Sequence, residues 1–537
     1  MKIGFGIGFG KRPTFNRGGG APVDAIVKRL AHRLYGPGHN SGSAPSTGDG
    51  TAKTYAATFV NESGAAITEL SLVFQGWTLR TTGTTDASAS YTVTGTIEYP
   101  VGTVVADIGS VVVTAGGNVE GDTLIPSAEI PVGGSFRVNF SSTVPAGQTY
   151  IANLGFAGLR THKLSSLLKR EALYAVGDSI ATNNNGAVYT AAAGKCPVYH
   201  ASITGTTAAT YGGTSAANFV KQVDLAKKLG ITRFVSNFGT NDFGASTSKD
   251  TLLGYLTAMR SLANAQNIKF TQATMLPRTS DAAAVAVTAT SSGNTITATV
   301  PDASKYVVGM AYRLTGATQT EYNGSFVCTA IDTGANTVQL LFPGSATPTA
   351  TGSPVLDAWK ATSTNQWQSP WSSHYDPGPD SQRGQFNAAV RSGAYFDDYV
   401  EWADPFEPSR DAGRWVIGGE NPLIPAPQEI TISSVITTSR FNSNYNRGSS
   451  TIPNGFVQFR TGANVGVSRT GNGNTNGDIT MSSAAPNTMV VGDTLIAIPG
   501  TSYCSDDGTH PRVAGGSFGG QAVLNKAMGD KITEWLA

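Results

Sequence analysis

Leu173-Tyr174-Ala175-Val176-Gly177-Asp178-Ser179-Ile180 is the stretch on which the fold turns. Four consecutive apolar residues are too few for a helix and read as a short strand buried on both faces. Gly177 lets the backbone turn sharply. Ser179 then stands at the strand's carboxyl end, where open α/β sheets bind their ligands. The residues downstream keep the same texture. Phe219, Val220, Val223, Ala226 and Leu229 form a helical stripe, 233–238 reads as a strand, Asp250 can cap a helix through Leu262, and 269–276 reads as another strand. Strands alternating with helices predict a parallel sheet with helices on both faces.

Upstream, residues 51–165 read as a β-sandwich. Segments 91–99 and 135–140 alternate apolar and polar residues, with Gly, Pro, Asn and Asp turns between such runs. Residues 1–50 are glycine-rich and hold one helix candidate, 22–35. Ile26, Val27, Leu30 and Leu34 share a face, Lys28, Arg29 and Arg33 lie towards the other, and Gly36-Pro37-Gly38 stops it. This predicts an anchoring segment that joins a larger assembly and stays out of the catalytic core. Met1–Gly10 only superficially resembles an export signal: its apolar part is half glycine, and Lys11 and Arg12 stand where small residues would be needed for cleavage. Downstream, 281–358 and 426–499 switch back to short β runs and are expected as β insertions, the second alternatively as one long excursion.

Composition fits this plan. Only 14% of residues are charged, 64 of 537 are glycine, and 40% are hydrophobic. That suits β-rich extracellular or virion-surface modules and is too apolar for a disordered chain. A net charge of +1 without a long basic run gives no case for nucleic acid as partner. No stretch approaches the ~18–20 apolar residues of a membrane span. Three cysteines, Cys196, Cys328 and Cys504, are too few for a disulfide framework.

Gly-Asp-Ser alone is a weak signal, because all three are ordinary turn residues. Two further blocks give it meaning. Gly239-Thr240-Asn241-Asp242 ends another expected strand, and Asp507-Gly508-Thr509-His510-Pro511 lies far downstream. Together with Gly177-Asp178-Ser179-Ile180, these blocks resemble the GDSL, or SGNH, hydrolase family. His200-Ala201-Ser202-Ile203-Thr204-Gly205 is similar to the family's second block, with histidine where asparagine is common, and Asp404-Pro405-Phe406-Glu407-Pro408 to a D-P-x-x-P segment some members carry. The resemblance covers 166–280, 359–425 and 500–537. It implies a flavodoxin-like α/β core and a serine esterase that uses no metal or cofactor. Ser179 would be the nucleophile, His510 the base and Asp507 its orienting acid, with Asp506 as rival. The oxyanion hole would comprise the backbone N–H groups of Ser179 and Gly205 and the amide of Asn241, with Gly212 and Gly213 as alternatives to Gly205.

The residue types suit that chemistry, since a serine hydroxyl needs a base within hydrogen-bond reach and a carboxylate fixes the imidazole's tautomer. Gly515-Gly516-Ser517-Phe518-Gly519 also satisfies G-x-S-x-G, but no histidine follows it, as an α/β-hydrolase order requires. His200 is read as structural or as lining the site. Trp359, Trp367, Trp371, His374 and Tyr375 form either a sugar-stacking platform or a core seam.

The expected substrate is an O-acetyl group on a bacterial surface polysaccharide. The expected setting is a bacteriophage tail spike or fibre, homo-oligomeric and bound to other virion proteins through residues 1–50. The alternatives are a secreted carbohydrate esterase and a non-catalytic adhesive virion protein.

Overall fold

The computed structural model describes residues 25–37, 39, 42–182, 186–213, 216–281, 284–306, 308, 311–342, 349–358, 368–416, 428–445, 452–473, 477–498, 509–511 and 520–537. At its centre lies a six-stranded sheet. Its strands are β1 (Leu34–Tyr35), β2 (Leu173–Val176), β3 (Val198–His200), β4 (Arg233–Ser236), β5 (Lys269–Ala273) and β6 (Asp398–Val400). They lie in the order β1-β3-β2-β4-β5-β6, every pair parallel. Winding proceeds from β2 to β3 on one side, then reverses to β4 on the other, and the reversal leaves a crevice at the carboxyl end of β2.

Side-chain alternation explains why β2 is apolar throughout. Tyr174 and Val176 enter one core with Phe219, Leu225 and Leu229 of α4 (Ala216–Leu229) and Leu252, Leu256 and Met259 of α6 (Lys249–Asn264). Leu173 and Ala175 enter the other with Val188 of α2 (Ala187–Ala191) and Leu524, Met528 and Ile532 of α8 (Gly520–Leu536). Helices therefore cover both faces, as period-2 pointing of an apolar strand requires. Two details differ from the sequence reading. Val220 is half exposed, not part of the buried stripe. Ser248, not Asp250, caps α6, its hydroxyl accepting from the Thr251 N–H, because serine offers its oxygen at the extended residue preceding the helix.

Before β2 the chain builds two four-stranded antiparallel sheets. Phe74 and Phe156 from one meet Phe140 from the other at ring distances of 5.4 and 5.1 Å. The helix expected over 22–35 is not formed. Ile26–Leu30 is a strand paired antiparallel with Phe156–Leu164, and Leu34–Tyr35 is β1 of the parallel sheet. Residues 25–37 and 42–50 are therefore built into the fold, against the expectation that 1–50 stays apart from it; residues 1–24 lie outside the described residues. α4 seals the two parts. Asn118 Nδ2 donates to Lys221 O at 3.0 Å and to Asp224 Oδ2 at 2.9 Å, and Asn218 Oδ1 accepts from Thr84 N at 3.2 Å.

The two stretches after β5 and β6 are organised β modules. Strands between Val285 and Ala358 form a seven-stranded antiparallel sheet, and strands between Gln428 and Ile498 close into a six-stranded barrel. The alternative of one long excursion over 426–499 is thus replaced by a barrel with its own core of Ile430, Ile432, Phe441, Val457, Phe459 and Leu495. Buried Gln458 joins the modules, accepting from Val327 N at 2.9 Å and donating to Leu341 O at 3.3 Å. Cys196 and Cys328 are buried and unbridged. Among the described residues no helix is long and apolar enough to cross a membrane.

Candidate active site

Three loops leave the carboxyl ends of adjacent strands. The first follows β2. Gly177 has φ +154°, and a Cβ there would lie 1.6 Å from Asn237 Oδ1, so no side chain fits this turn. Ser179 opens the short helix α1 (Ser179–Thr182). Its hydroxyl lies 2.6 Å from His510 Nε2, although the two residues are 331 positions apart. Ser179 is mostly buried and His510 partly so. A base within hydrogen-bond reach of a serine hydroxyl is the arrangement that activates serine as a nucleophile.

The second loop follows β3. Gly205 has φ +81° and stands open: a Cβ there would meet only Thr81 Cγ2, 3.9 Å away. Thr206 ties this loop to the first: its hydroxyl donates to Gly177 O at 2.9 Å, and the Ile203 N–H reaches the same carbonyl at 2.9 Å. Gly212 instead packs against the backbone of Tyr255 in α6, where a Cβ would meet Tyr255 O at 2.2 Å, and Gly213 would contact Ala209 O. Of the three glycines, Gly205 alone sits in a loop bonded to the Ser179 turn.

The third loop follows β4 into α5 (Thr240–Gly244). Asn241 Nδ2 donates to Thr206 O at 3.0 Å, which brings Asn241 to the Gly205 loop and leaves its second amide hydrogen for another acceptor. Asp242 accepts from Ala208 N at 2.9 Å and Ala209 N at 3.2 Å, holding the start of α3 (Ala209–Gly212) and hence the run from Gly205. Ser179, His510, Gly205 and Asn241 thus belong to one hydrogen-bonded cluster of loops. Asp507 and its rival Asp506 lie outside the described residues, as does the Gly515–Gly519 motif.

Asp178 is fully buried. Its Oδ1 accepts from Ile180 N at 2.9 Å and Asn237 Nδ2 at 2.7 Å, while Oδ2 has no hydrogen-bond partner. Burial raises its pKa to about 6, opposed by those bonds and by His510. Its backbone bonds show a turn-shaping role. Asn237 is a residue the sequence reading missed; an amide side chain directly after β4 and two residues before Gly239 was the available signal.

His200 is fully buried. Its Nε2 contacts Ala181 O at 3.2 Å and its Nδ1 lies 3.0 Å from His39 Nδ1. Burial lowers His200 to about 3 and His39 to about 4, so the pair is neutral near pH 7. Of the aromatic group, Tyr375 is a core residue whose hydroxyl donates to Thr240 O at 2.7 Å, His374 packs on Phe243, Trp371 is half exposed, and Trp359 and Trp367 lie outside the described residues. In the D-P-x-x-P segment, Glu407 forms a fully buried ion pair with Arg383 of α7 (Gln382–Arg391) at 2.6 Å.

A second serine–histidine–carboxylate chain occurs far from these loops. Ser71 Oγ lies 3.0 Å from His162 Nε2, and His162 Nδ1 2.9 Å from Glu69 Oε1. Ser71 is fully buried and its hydroxyl accepts from both Arg160 Nε at 3.2 Å and Arg160 Nη2 at 2.8 Å, so neither substrate access nor a free nucleophile lone pair remains. It is part of the seam beneath α4.

No family model and no curated protein matches the chain. Among solved structures, the chain is similar to a GDSL-like lipase from Bacteroides thetaiotaomicron, at 23% identity over 20% of this chain and 50% of that one, with a TM-score of 0.16. It is similar to a psychrotrophic esterase from Pseudoalteromonas sp. at 19% identity over 20% and 60% of the two chains, TM-score 0.16. A protein from Bacillus subtilis aligns at 13% identity over 47% and 75%, TM-score 0.20. The chain thus spans about half the length of the first of these.

Proposed function

We propose that the chain is a serine esterase of the GDSL, or SGNH, hydrolase kind, with a flavodoxin-like α/β core, an N-terminal β-sandwich and two inserted β modules. The observation that carries the reading is the 2.6 Å contact of His510 Nε2 with Ser179 Oγ at the carboxyl end of the central strand. In this reading His510 takes the hydroxyl proton as Ser179 Oγ attacks the ester carbonyl. The tetrahedral oxyanion accepts from the backbone N–H groups of Ser179 and Gly205 and from the amide hydrogen of Asn241 that Thr206 O does not use. One such donor is typically worth about 2.7–4 kcal/mol. Collapse breaks the ester C–O bond, and His510 returns the proton to the leaving alcohol. Water, deprotonated by His510, then attacks the acyl-serine, and a second collapse releases the acid and restores Ser179. Asp507, three residues before His510, is assigned to hold the imidazole.

The proposed substrate is an O-acetyl ester on a bacterial surface polysaccharide, and the proposed setting is a phage virion, where residues 1–24 would meet neighbouring proteins. Hydrolysis of p-nitrophenyl acetate tests the class. Ser179→Ala is expected to lower kcat by several orders of magnitude with the circular dichroism spectrum unchanged; a fully active variant overturns the nucleophile. Detection of the chain in purified virions tests the setting.

A further inference from the structure

The loop after β5 carries Arg278, beside the proposed oxyanion residue Asn241. Arg278 Nη1 approaches the carbonyl of Thr240, the residue before Asn241, at 3.5 Å, and lies against Gly244 at the other end of α5. The hydroxyl of Tyr375 donates to the same Thr240 carbonyl at 2.7 Å. The stem of the first β module sets this arrangement. Thr279–Asp281 pairs antiparallel with Gln368–Pro370, and Trp371 N donates to Arg278 O at 3.0 Å. The stem thereby lays the Trp371 ring against the guanidinium, 4.2 Å from its carbon to the ring centroid.

Two features of this pair are left unexplained by packing. Arg278 is half buried, its Nε has no hydrogen-bond partner, and no carboxylate pairs with it among the described residues. Buried Arg383, by contrast, holds the carboxylate of Glu407. Withdrawing a guanidinium from water without a counter-charge is unfavourable, and its planar fork suits a carboxylate. Trp371, by contrast, is 47% exposed. An exposed indole offers an apolar face to a sugar ring.

We infer that Arg278 and Trp371 form a subsite for a carboxylate-bearing sugar, Arg278 pairing with the carboxylate and Trp371 supporting the ring, next to the loop that carries Asn241. The inference narrows the proposed esterase's substrate to acidic saccharides of the uronic or sialic kind. Its use in catalysis rests on the esterase reading, but the binding it predicts does not.

The test therefore measures binding first. Full-length Ser179→Ala protein is titrated calorimetrically with an O-acetylated oligogalacturonide and an O-acetylated oligosialic acid, each beside its carboxyl-methylated counterpart. At least one acid is expected to bind about 10- to 100-fold more tightly than its methyl ester, with the preference shrinking at high salt. Adding Arg278→Gln should bring the ratio to about one, and Trp371→Ala should weaken acid and ester alike. Thermal unfolding of each variant verifies that it is folded, and Arg278→Lys, which keeps the charge, should retain part of the preference. Equal binding of acid and ester by the parent protein, or a preference that survives Arg278→Gln, overturns the subsite. Turnover of the same pairs by the unsubstituted protein is the second arm. Carboxylate-selective binding without turnover leaves the subsite standing and counts against the esterase; turnover without selectivity does the reverse.

Discussion

Asp178 shows how much one residue's behaviour depends on its surroundings. It neighbours Ser179, is cut off from water, and has one carboxylate oxygen without a partner. Burial raises its pKa from 3.8 to about 6. A carboxyl whose folded pKa exceeds its unfolded value binds its proton more tightly when folded. Its favourable contribution is present below about pH 4 and is lost as pH climbs through 6. Asp178→Asn removes this titration and keeps an oxygen for Ile180 N. The variant's stability relative to the unsubstituted protein is expected to rise by about 2 kcal/mol between pH 4 and pH 7.5, measured by urea unfolding at both values. Parallel pH profiles would sink this account. Ser179, His510 and Asn241 were legible as residues because serine, histidine and asparagine in those blocks bring their chemistry with them. The protonation of Asp178 was not, because it depends on Asn237 and on the burial supplied by neighbouring loops.

Among elements, α5 governs the Gly205 loop. Asp242 accepts from two consecutive N–H groups at the start of α3, so it fixes where the chain from Gly205 can lie. Asp242→Ala frees that loop without touching Ser179 or His510. Expected is a ~10- to 100-fold fall in kcat on p-nitrophenyl acetate with a smaller change in KM, because an oxyanion donor acts mainly in the transition state. A pure KM effect would contradict the positioning role. The N-terminal strand shows the opposite limit of sequence reading. Ile26, Val27, Leu30 and Leu34 satisfy helical spacing, yet Ile26–Leu30 is extended because Phe156–Leu164 offers it a sheet edge. Local pattern lost to a partner about 130 residues away, as short segments often do.

For the whole molecule, the consequence is that the N-terminal sheets and the parallel sheet form one unit. Leu30, Leu72, Phe74 and Phe156 share a continuous core with Phe219, Leu229 and Phe234. The hairpin carrying Arg80 and Thr81 reaches α3, where Tyr211 Oη donates to Arg80 O at 3.4 Å and Thr210 Oγ1 to Thr81 O at 3.4 Å. Truncation before residue 51 removes β1, the strand Ile26–Leu30 and the His39–His200 contact. It is expected to yield insoluble or thermally destabilised protein. A stable, active protein beginning at residue 51 would show that the shared core is dispensable.

The features legible in the chain itself were local or chemically marked: the apolar strand before Ser179, the glycine its turn demands, the alternation that makes a parallel sheet, and the polar residues at strand ends. Each follows from neighbours within a few positions, where periodicity and backbone sterics act. The long-range outcomes came from folding. Tertiary contacts brought His510 to Ser179, closed 428–498 into a barrel, joined two β modules through Gln458, and turned a helical pattern into two strands of different sheets. Those outcomes depend on which surfaces meet, and burial and hydrogen-bond satisfaction between segments far apart outweigh the small preferences of any one segment.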